Sequence, residues 1–286
     1  MTKKRSTKAA ARPSPRKAVA IAANARKPVR ERVLAMAAVP TAVVESDENL
    51  QAMLTVLRDT NEPREVRLKA LQALQAASFS VVAFESGRED YIAALRDVAD
   101  DPDEELRQRV LGLLAREKDR HAQKMLVDGL RDPDKALLPP EKALQLLGYD
   151  PHADAYATAR DIVANPPNAE AKREALRLLA ADASSAPMFE KVLLDKDESS
   201  EARRISAAAL QSLRPEKLQA YARKILLDPS EDDDVAATSL TAITQFGDRE
   251  KVTGDTDLKK RVKRLTSAGA PKIKRAARRF EKRYGK

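Results

Sequence analysis

AKREALRLL, residues Ala171 to Leu179, has close relatives up and down the chain: VRLKALQAL ending at Leu74, LRQRVLGLL at Leu114, PPEKALQLL at Leu147, ARRISAAAL at Leu210 and VAATSLTAI at Ile243. Successive endpoints lie 40, 33, 32, 31 and 33 residues apart. Periods in this range are those of two-helix repeat arrays.

Stacking the copies shows which columns stay apolar. The last column is Leu74, Leu114, Leu147, Leu179, Leu210 and Ile243, and the one before it is Ala73, Leu113, Leu146, Leu178, Ala209 and Ala242. Four residues before the end stands a small or slim side chain: Ala70, Val110, Ala143, Ala175, Ser206 and Ser239. Such spacing draws a broad apolar stripe along one face of a helix. Small residues within the stripe let neighbouring helices approach closely.

A shorter helical pattern precedes each copy, at Leu50–Leu57, Tyr91–Val98, Met125–Leu130, Tyr156–Val163, Phe189–Leu194 and Tyr221–Leu227. Each unit therefore reads as helix, turn, helix. The turns at Asp59–Pro63, Asp100–Asp103, Asp132–Asp134, Asn165–Asn168, Asp195–Asp197 and Asp228–Ser230 hold the Asp, Asn and Pro that start helices. No single pair can bury its own stripe, so the pairs must stack. The expected fold is all-α, an α-solenoid of about six stacked helix-turn-helix repeats at residues 47–248. A disordered basic tail is expected at 1–27, an N-terminal capping helix at 28–46 and a basic helical cap or tail at 249–286.

The pattern resembles the HEAT-repeat superfamily in its short, HEAT-like form. The resemblance rests on the turn Asp and on an apolar-then-basic pair opening the second helix: Val66 and Arg67, Leu106 and Arg107, Ala171 and Lys172, Ala202 and Arg203. The copies at Pro139–Pro140 and Val235–Ala236 lack the base. The resemblance implies a ladder of turn acids and helix bases, here Asp59, Arg67, Asp101, Arg107, Asp132, Lys172, Asp195, Arg203 and Asp228, interrupted twice. It also implies a surface for docking other molecules. Tetratricopeptide repeats fit less well, because the chain has no Trp, and the Thr-Pro-Leu-His signature of ankyrin repeats is absent.

Composition narrows the chemistry. With no cysteine among 286 residues, disulfides, thiolate catalysis and zinc ribbons are excluded. No apolar run approaches the roughly twenty residues of a membrane span. His121 and His152 are the only histidines and lie in no His-Glu motif, whereas the HEAT-like deoxyhypusine hydroxylases bind iron through such pairs. HEAT-like alkylpurine DNA glycosylases use a basic face lined with Trp and Tyr, which a Trp-free chain with an acidic body does not match. The eight glycines form no phosphate-cradling loop. The acidic runs Asp100–Glu105 and Glu231–Asp234 read as helix caps. These absences lead to the expectation that the chain is not an enzyme and needs no cofactor, metal or small-molecule substrate.

Charge is unevenly placed. Residues 1–32 carry +10 and residues 258–286 carry +12, against a chain total of +9, which leaves −13 for residues 33–257. Lys3, Lys4, Arg5, Lys8, Arg12, Arg16 and Lys17 stand in the first segment, where Ser14-Pro15-Arg16-Lys17 matches the Ser-Pro-basic-basic element of histone tails. An Arg-rich, acid-poor start also fits a transit peptide, although Pro13 and Pro15 interrupt the helix such signals form. Lys259, Lys260, Arg261, Lys263 and Arg264 follow in a basic helix that SAGAP at 267–271 ends. The last segment places Ile273, Ala277, Phe280 and Tyr284 on one stripe, with Lys272, Lys274, Arg275, Arg278, Arg279, Lys282 and Arg283 around it. Lys and Arg in such numbers contact phosphates without reading sequence.

The leading expectation is therefore a cytoplasmic, non-catalytic adaptor, associated with nucleoid or chromatin if its tails engage DNA. A protein partner would bind the solenoid, and nucleic acid or another polyanion the basic ends. The alternative is a pure protein scaffold. Ser78–Asp90, with about seven residues more than the other connections, reads as a loop tucked on the core or as a docking loop.

Overall fold

The computed structural model describes residues 14–285. They are helical throughout, with no strand among them. They fall into two compact units, one up to Met125 and one from Leu126. In the first unit stand α1 (Pro15–Ala22), α2 (Val29–Ala35), α3 (Val39–Glu45), α4 (Asp47–Arg58), α5 (Arg64–Ser78), α6 (Arg88–Asp97) and α7 (Glu104–Arg116). Helix α8 (Arg120–Arg131) runs across the division. The second unit continues with α9 (Pro140–Leu147), α10 (Ala153–Ala164), α11 (Ala169–Leu179), α12 (Ala186–Leu194), α13 (Ser200–Leu213), α14 (Pro215–Leu227), α15 (Asp233–Phe246), α16 (Arg249–Gly254), α17 (Thr256–Ala268) and α18 (Pro271–Tyr284).

Each of the six sequence copies is the second helix of a pair: α5, α7, α9, α11, α13 and α15. Their small column is buried where it was read, with Ala70, Val110, Ala175 and Ser206 fully covered. In the second unit the second helices pack in one row, α9 on α11 on α13 on α15 on α18. Turn side chains start many of these helices. Asp103, Asn168, Ser199 and Asp232 each accept a hydrogen bond from a backbone N–H three residues on, satisfying donors that a helix start leaves open.

The ends differ from their reading. Residues 15–22, assigned to the disordered tail, form α1, whose Ala18, Val19 and Ala22 are buried against α2 and α3. Residues 28–46 hold two α-helices separated by a 3₁₀ turn at Met36–Ala38. Pro40 explains the break, because its ring occupies the space that a continuous helix needs for the carbonyl four residues earlier. At the other end α17 and α18 form another packed pair after α15. Gly247 closes α15: a Cβ there would sit 2.5 Å from the Ile243 carbonyl oxygen.

The ladder is built from a different set of acids than the sequence suggested. Arg32, Arg67 and Arg203 are each almost fully buried, and each donates from Nε to the carbonyl ten residues back, on Ala22, Leu57 and Leu193, at 2.8–3.0 Å. That carbonyl ends the first helix of the pair, so the arginine caps it. The rest of the guanidinium pairs with an acid in the following turn: Arg32 with Glu62, Arg67 with Asp101 at 2.5 Å, and Arg203 with Glu231. Lys172 pairs with Glu198, and Arg107 donates to the Asp101 carbonyl at 2.6 Å.

Of the turn aspartates assigned to the ladder, only Asp101 meets a ladder base through its carboxylate. Asp59, Asp132, Asp195 and Asp228 instead accept from the N–H two residues on in their own turns, at Asn61, Asp134, Asp197 and Ser230. Asp132 also pairs with Lys135, and Asp228 with Lys196. The pairing acid after Asp59, Asp195 and Asp228 is the Glu three residues later. In these turns the Asp carboxylate closes its own turn, and the Glu three residues later meets the ladder base of the preceding helix pair.

At Ala236 the base is missing, and its place is filled from another helix. Leu226 carries the carbonyl ten residues before Ala236, and Arg261 of α17 donates to it from Nε at 2.9 Å. The interruption of the ladder is thus closed by the C-terminal segment.

Asp101 makes the ladder acid-sensitive. Burial pushes its carboxyl up, but hydrogen bonds from Arg67 and the Asp103 N–H, with the charges of Arg67 and Arg107, hold it below the ordinary carboxylate value. A carboxyl lowered in the folded state stabilises above its unfolded value, near 3.9, and that stabilisation is lost as pH falls through the folded value. Asp119, paired with Arg96, is lowered in the same way. The melting temperature is expected to stay level from pH 7 to about 5 and to fall steeply below about 4, as thermal scans in a buffer series would show. For Asp101→Asn the fall is expected to begin from a lower plateau and be shallower.

Candidate polyanion-binding face of the second unit

The stripe of Ile273, Ala276, Ala277, Phe280 and Tyr284 is buried in the cluster that joins α15, α17 and α18. Tyr284 packs on Phe280, with ring centroids 5.1 Å apart, and its hydroxyl reaches the carbonyls of Ile243 and Gly247, each at 3.2 Å. With its apolar side so held, α18 presents its bases outward.

Most of those bases have no partner among the described residues. Lys259, Lys260, Lys263 and Arg264 on α17, and Arg275, Arg278, Arg279 and Lys282 on α18, are exposed. None of them, nor the half-buried Lys274, makes a hydrogen bond or ion pair with another described residue. Other arginines at the surface are engaged, as in the half-buried Arg58 with Asp97 and Arg88 with Glu117, and the exposed Arg223 with Asp255. Like charges left unpaired on one surface repel one another.

Three predicted residues take other roles. Arg261 is committed to the Leu226 and Asp228 carbonyls, so it holds the fold. Lys272 pairs with Asp234 at 2.6 Å, and Arg283 lies 5.6 Å from the Tyr284 ring centroid while reaching the Gln245 carbonyl. Arg16 and Lys17 are exposed on α1 of the first unit. Lys3, Lys4, Arg5, Lys8 and Arg12 lie outside the described residues.

A groove of about 360 Å³ runs between α15 and α18, lined by Gln211, Thr238, Thr241, Lys272, Arg275 and Arg279 over a floor of alanines. Both threonine hydroxyls donate to their own helix, to the Asp234 and Ala237 carbonyls. Asp234 pairs with the lining Lys272. The Lys272 hydrogen bond holds its carboxyl below the ordinary value, against a little desolvation, and the charge of Arg204 adds to this. Arg204 is itself exposed. Sequence reading missed Arg204 and Gln211, because α13 was treated as core. Their signal is the column: Arg204 stands two residues after the buried Ala202, as Arg275 stands two after the buried Ile273.

Among the described residues no group of three His, Cys, Asp or Glu is placed to hold a metal ion. No helix among them is long and apolar enough to cross a membrane.

Fold and surface together define an all-helical repeat protein with a basic, unpaired C-terminal face. No family model matches the chain, and no curated protein matches it. Two solved structures are similar at low identity. The complex of CpcE and CpcF of phycocyanin lyase from Nostoc sp. PCC7120 is 15% identical over 99% of each chain, with a TM-score of 0.43. Human deoxyhypusine hydroxylase in complex with glycerol is 16% identical over 86% of this chain and 98% of its own, with a TM-score of 0.35. Both are named as enzymes, and the expectation that this chain is not one is withdrawn.

Proposed function

We propose that the chain is a HEAT-like repeat protein that holds the phosphate backbone of nucleic acid on the exposed faces of α17 and α18, without reading sequence. One observation supports this above the rest: eight bases of these two helices are exposed and have no hydrogen bond or ion pair among the described residues, on a platform fixed by buried apolar contacts. Helix α18, with 14 residues, is about 21 Å long. At one phosphate per 3.4 Å of each strand, that length faces about six phosphates. Aromatic side chains are absent from the exposed side, so contacts with the backbone, and not base stacking, are the expected mode.

The test is binding of a fluorescent generic duplex and a single strand to the full chain over a salt series. Binding is expected at low salt, with log K falling on log salt by about 0.9 per phosphate contact for duplex. Neutralising Lys259, Lys260, Lys263, Arg264, Arg275, Arg278 and Arg279 to Gln is expected to flatten that slope by several units. Absence of binding at low salt, or an unchanged slope in the neutralised variant, would overturn the reading.

A protein partner is favoured by a different observation, in the first unit. Only Phe84 of the Ser78–Asp90 loop's large apolar side chains is buried, edge-on to Tyr91 at 5.6 Å. Phe79, Val81 and Val82 are 76%, 62% and 93% exposed, so the loop is not tucked on the core along its length. Contiguous exposed apolar side chains mark interaction surfaces. Proteins captured by the full chain and lost with Phe79→Ser plus Val82→Ser would identify that partner; equal capture by both would remove the reading.

A further inference from the structure

The groove between α15 and α18 has a counterpart in the first unit, and comparing the two shows what has been changed. A groove of about 550 Å³ lies between α5 and α7. The two can be placed in register through the fully buried positions Leu106 and Val110 of α7 and Ile273 and Ala277 of α18. In that register the lining residues Glu105, Gln108 and Gly112 correspond to Lys272, Arg275 and Arg279. At these three positions an acid, an amide and a glycine stand against three bases, while Arg109, which also lines the α5–α7 groove and pairs with Glu105, stands against Ala276; Arg116 lines that groove too.

We infer that the α15–α18 groove is a phosphate seat, in which Arg275 and Arg279 clamp consecutive phosphodiester groups of a nucleic-acid backbone while the remaining bases of α17 and α18 contribute only general attraction. This rests on the nucleic-acid reading above and names the place within it where the backbone is fixed.

Arg275 and Arg279 are one helical turn apart, so their Cβ atoms lie about 5–6 Å from each other on one face. Each guanidinium offers a planar fork of donors that matches phosphate oxygens two at a time. Neither is engaged within the described chain, so no internal pair must break. Gln211 also lines the groove, makes no hydrogen bond among the described residues and supplies a neutral donor. The threonine hydroxyls have already spent their protons on carbonyls. The floor of Ala237, Ala242 and Ala276 lets the backbone approach closely and offers no ring for a base. No acid lines the groove, and Asp234 is paired with the lining Lys272 at 2.6 Å. A phosphodiester backbone is favoured over a single phosphate group because the charge continues past the groove along the exposed faces of both helices.

Two pairs of substitutions of equal charge separate the seat from the general field. Arg275→Gln with Arg279→Gln is expected to lower the duplex salt slope by about 2, the loss of two phosphate contacts. Lys263→Gln with Arg264→Gln is expected to lower it by less than half as much. All four side chains are exposed, and unchanged thermal melts would show that both variants fold. As a readout without substitution, duplex is expected to protect Arg275 and Arg279 of the full chain from phenylglyoxal more than Arg264 and Arg278, measured by peptide mass spectrometry. Equal slope losses in the two variants, or no preferential protection, would overturn the seat and leave the nucleic-acid reading standing. Absence of duplex binding by the full chain would overturn both. Protection by a phosphoserine peptide and not by duplex would overturn the assignment to a backbone.

Discussion

Arg203→Leu is expected to lower the stability of the second unit by about 3–5 kcal/mol, the usual result of removing one partner from a buried ion pair. Arg203 and Glu231 are 4% and 3% exposed, and their two carboxylate contacts are 2.6 and 2.7 Å long. Leucine there leaves the Glu231 carboxylate buried without its cation and the Leu193 carbonyl without its donor. Charge and cap are lost in one change. Removing both partners, with Arg203→Leu and Glu231→Leu, is expected to recover much of the loss, because no buried charge remains. Recovery stays incomplete by about 1–3 kcal/mol for the orphaned carbonyl. Urea unfolding of the full chain measures this, with Arg204→Leu, an exposed neighbour, expected within about 0.5 kcal/mol of the parent. A single substitution costing less than about 1 kcal/mol would show that the ladder does not hold the helix pairs together.

The second large effect is at Phe280, 2% exposed in the cluster where α15, α17 and α18 meet. Phe280→Ala is expected to cost about 3–5 kcal/mol through lost burial and the cavity left behind. Because Tyr284 packs on the Phe280 ring, its hydroxyl contacts to the α15 end weaken with it. Released from this cluster, a helix of 14 residues is marginal in water, more so with its many like charges. Hydrogen exchange of α18 amides is therefore expected to quicken well before the rest of the unit opens. The duplex salt slope is expected to shrink with it, although no charge has changed. Phe246→Ala serves as the comparison, since Phe246 is 55% exposed and its loss is expected to cost little.

The helix pairs were legible because they rest on local periodicity: an apolar stripe with one small column draws the same helix six times. The ladder was legible only in part. Arg67, Lys172 and Arg203 stood out by their column, but sequence alone does not tell which of two nearby acids meets the ladder base, and in the structure Glu198 and Glu231 do so while Asp195 and Asp228 close their own turns. Arg32 was hidden because α1, the helix whose end it caps, falls in a stretch whose composition reads as tail; three small or slim buried residues of α1 were enough to dock it. The basic character of α17 and α18 was plain from charge. Which bases remain free was not, since the partners of Arg261 and Lys272 stand more than thirty residues away. The groove was invisible for the same reason: Gln211, Thr238 and Arg275 come from three different helices and meet only on folding.

Arg261 also sets a limit on how this chain can grow. Repeat arrays lengthen when a copy is duplicated between existing ones, and copies such as α5 and α13 tolerate that because each brings its own capping arginine, Arg67 and Arg203. The junction after α15 does not. A copy inserted between α15 and α17 would carry Arg261 away from Leu226 and leave that helix end bare, unless Ala236 became a base at the same time. The number of copies is in this sense locked from the C-terminal side, and length variants of this protein should differ upstream of α14.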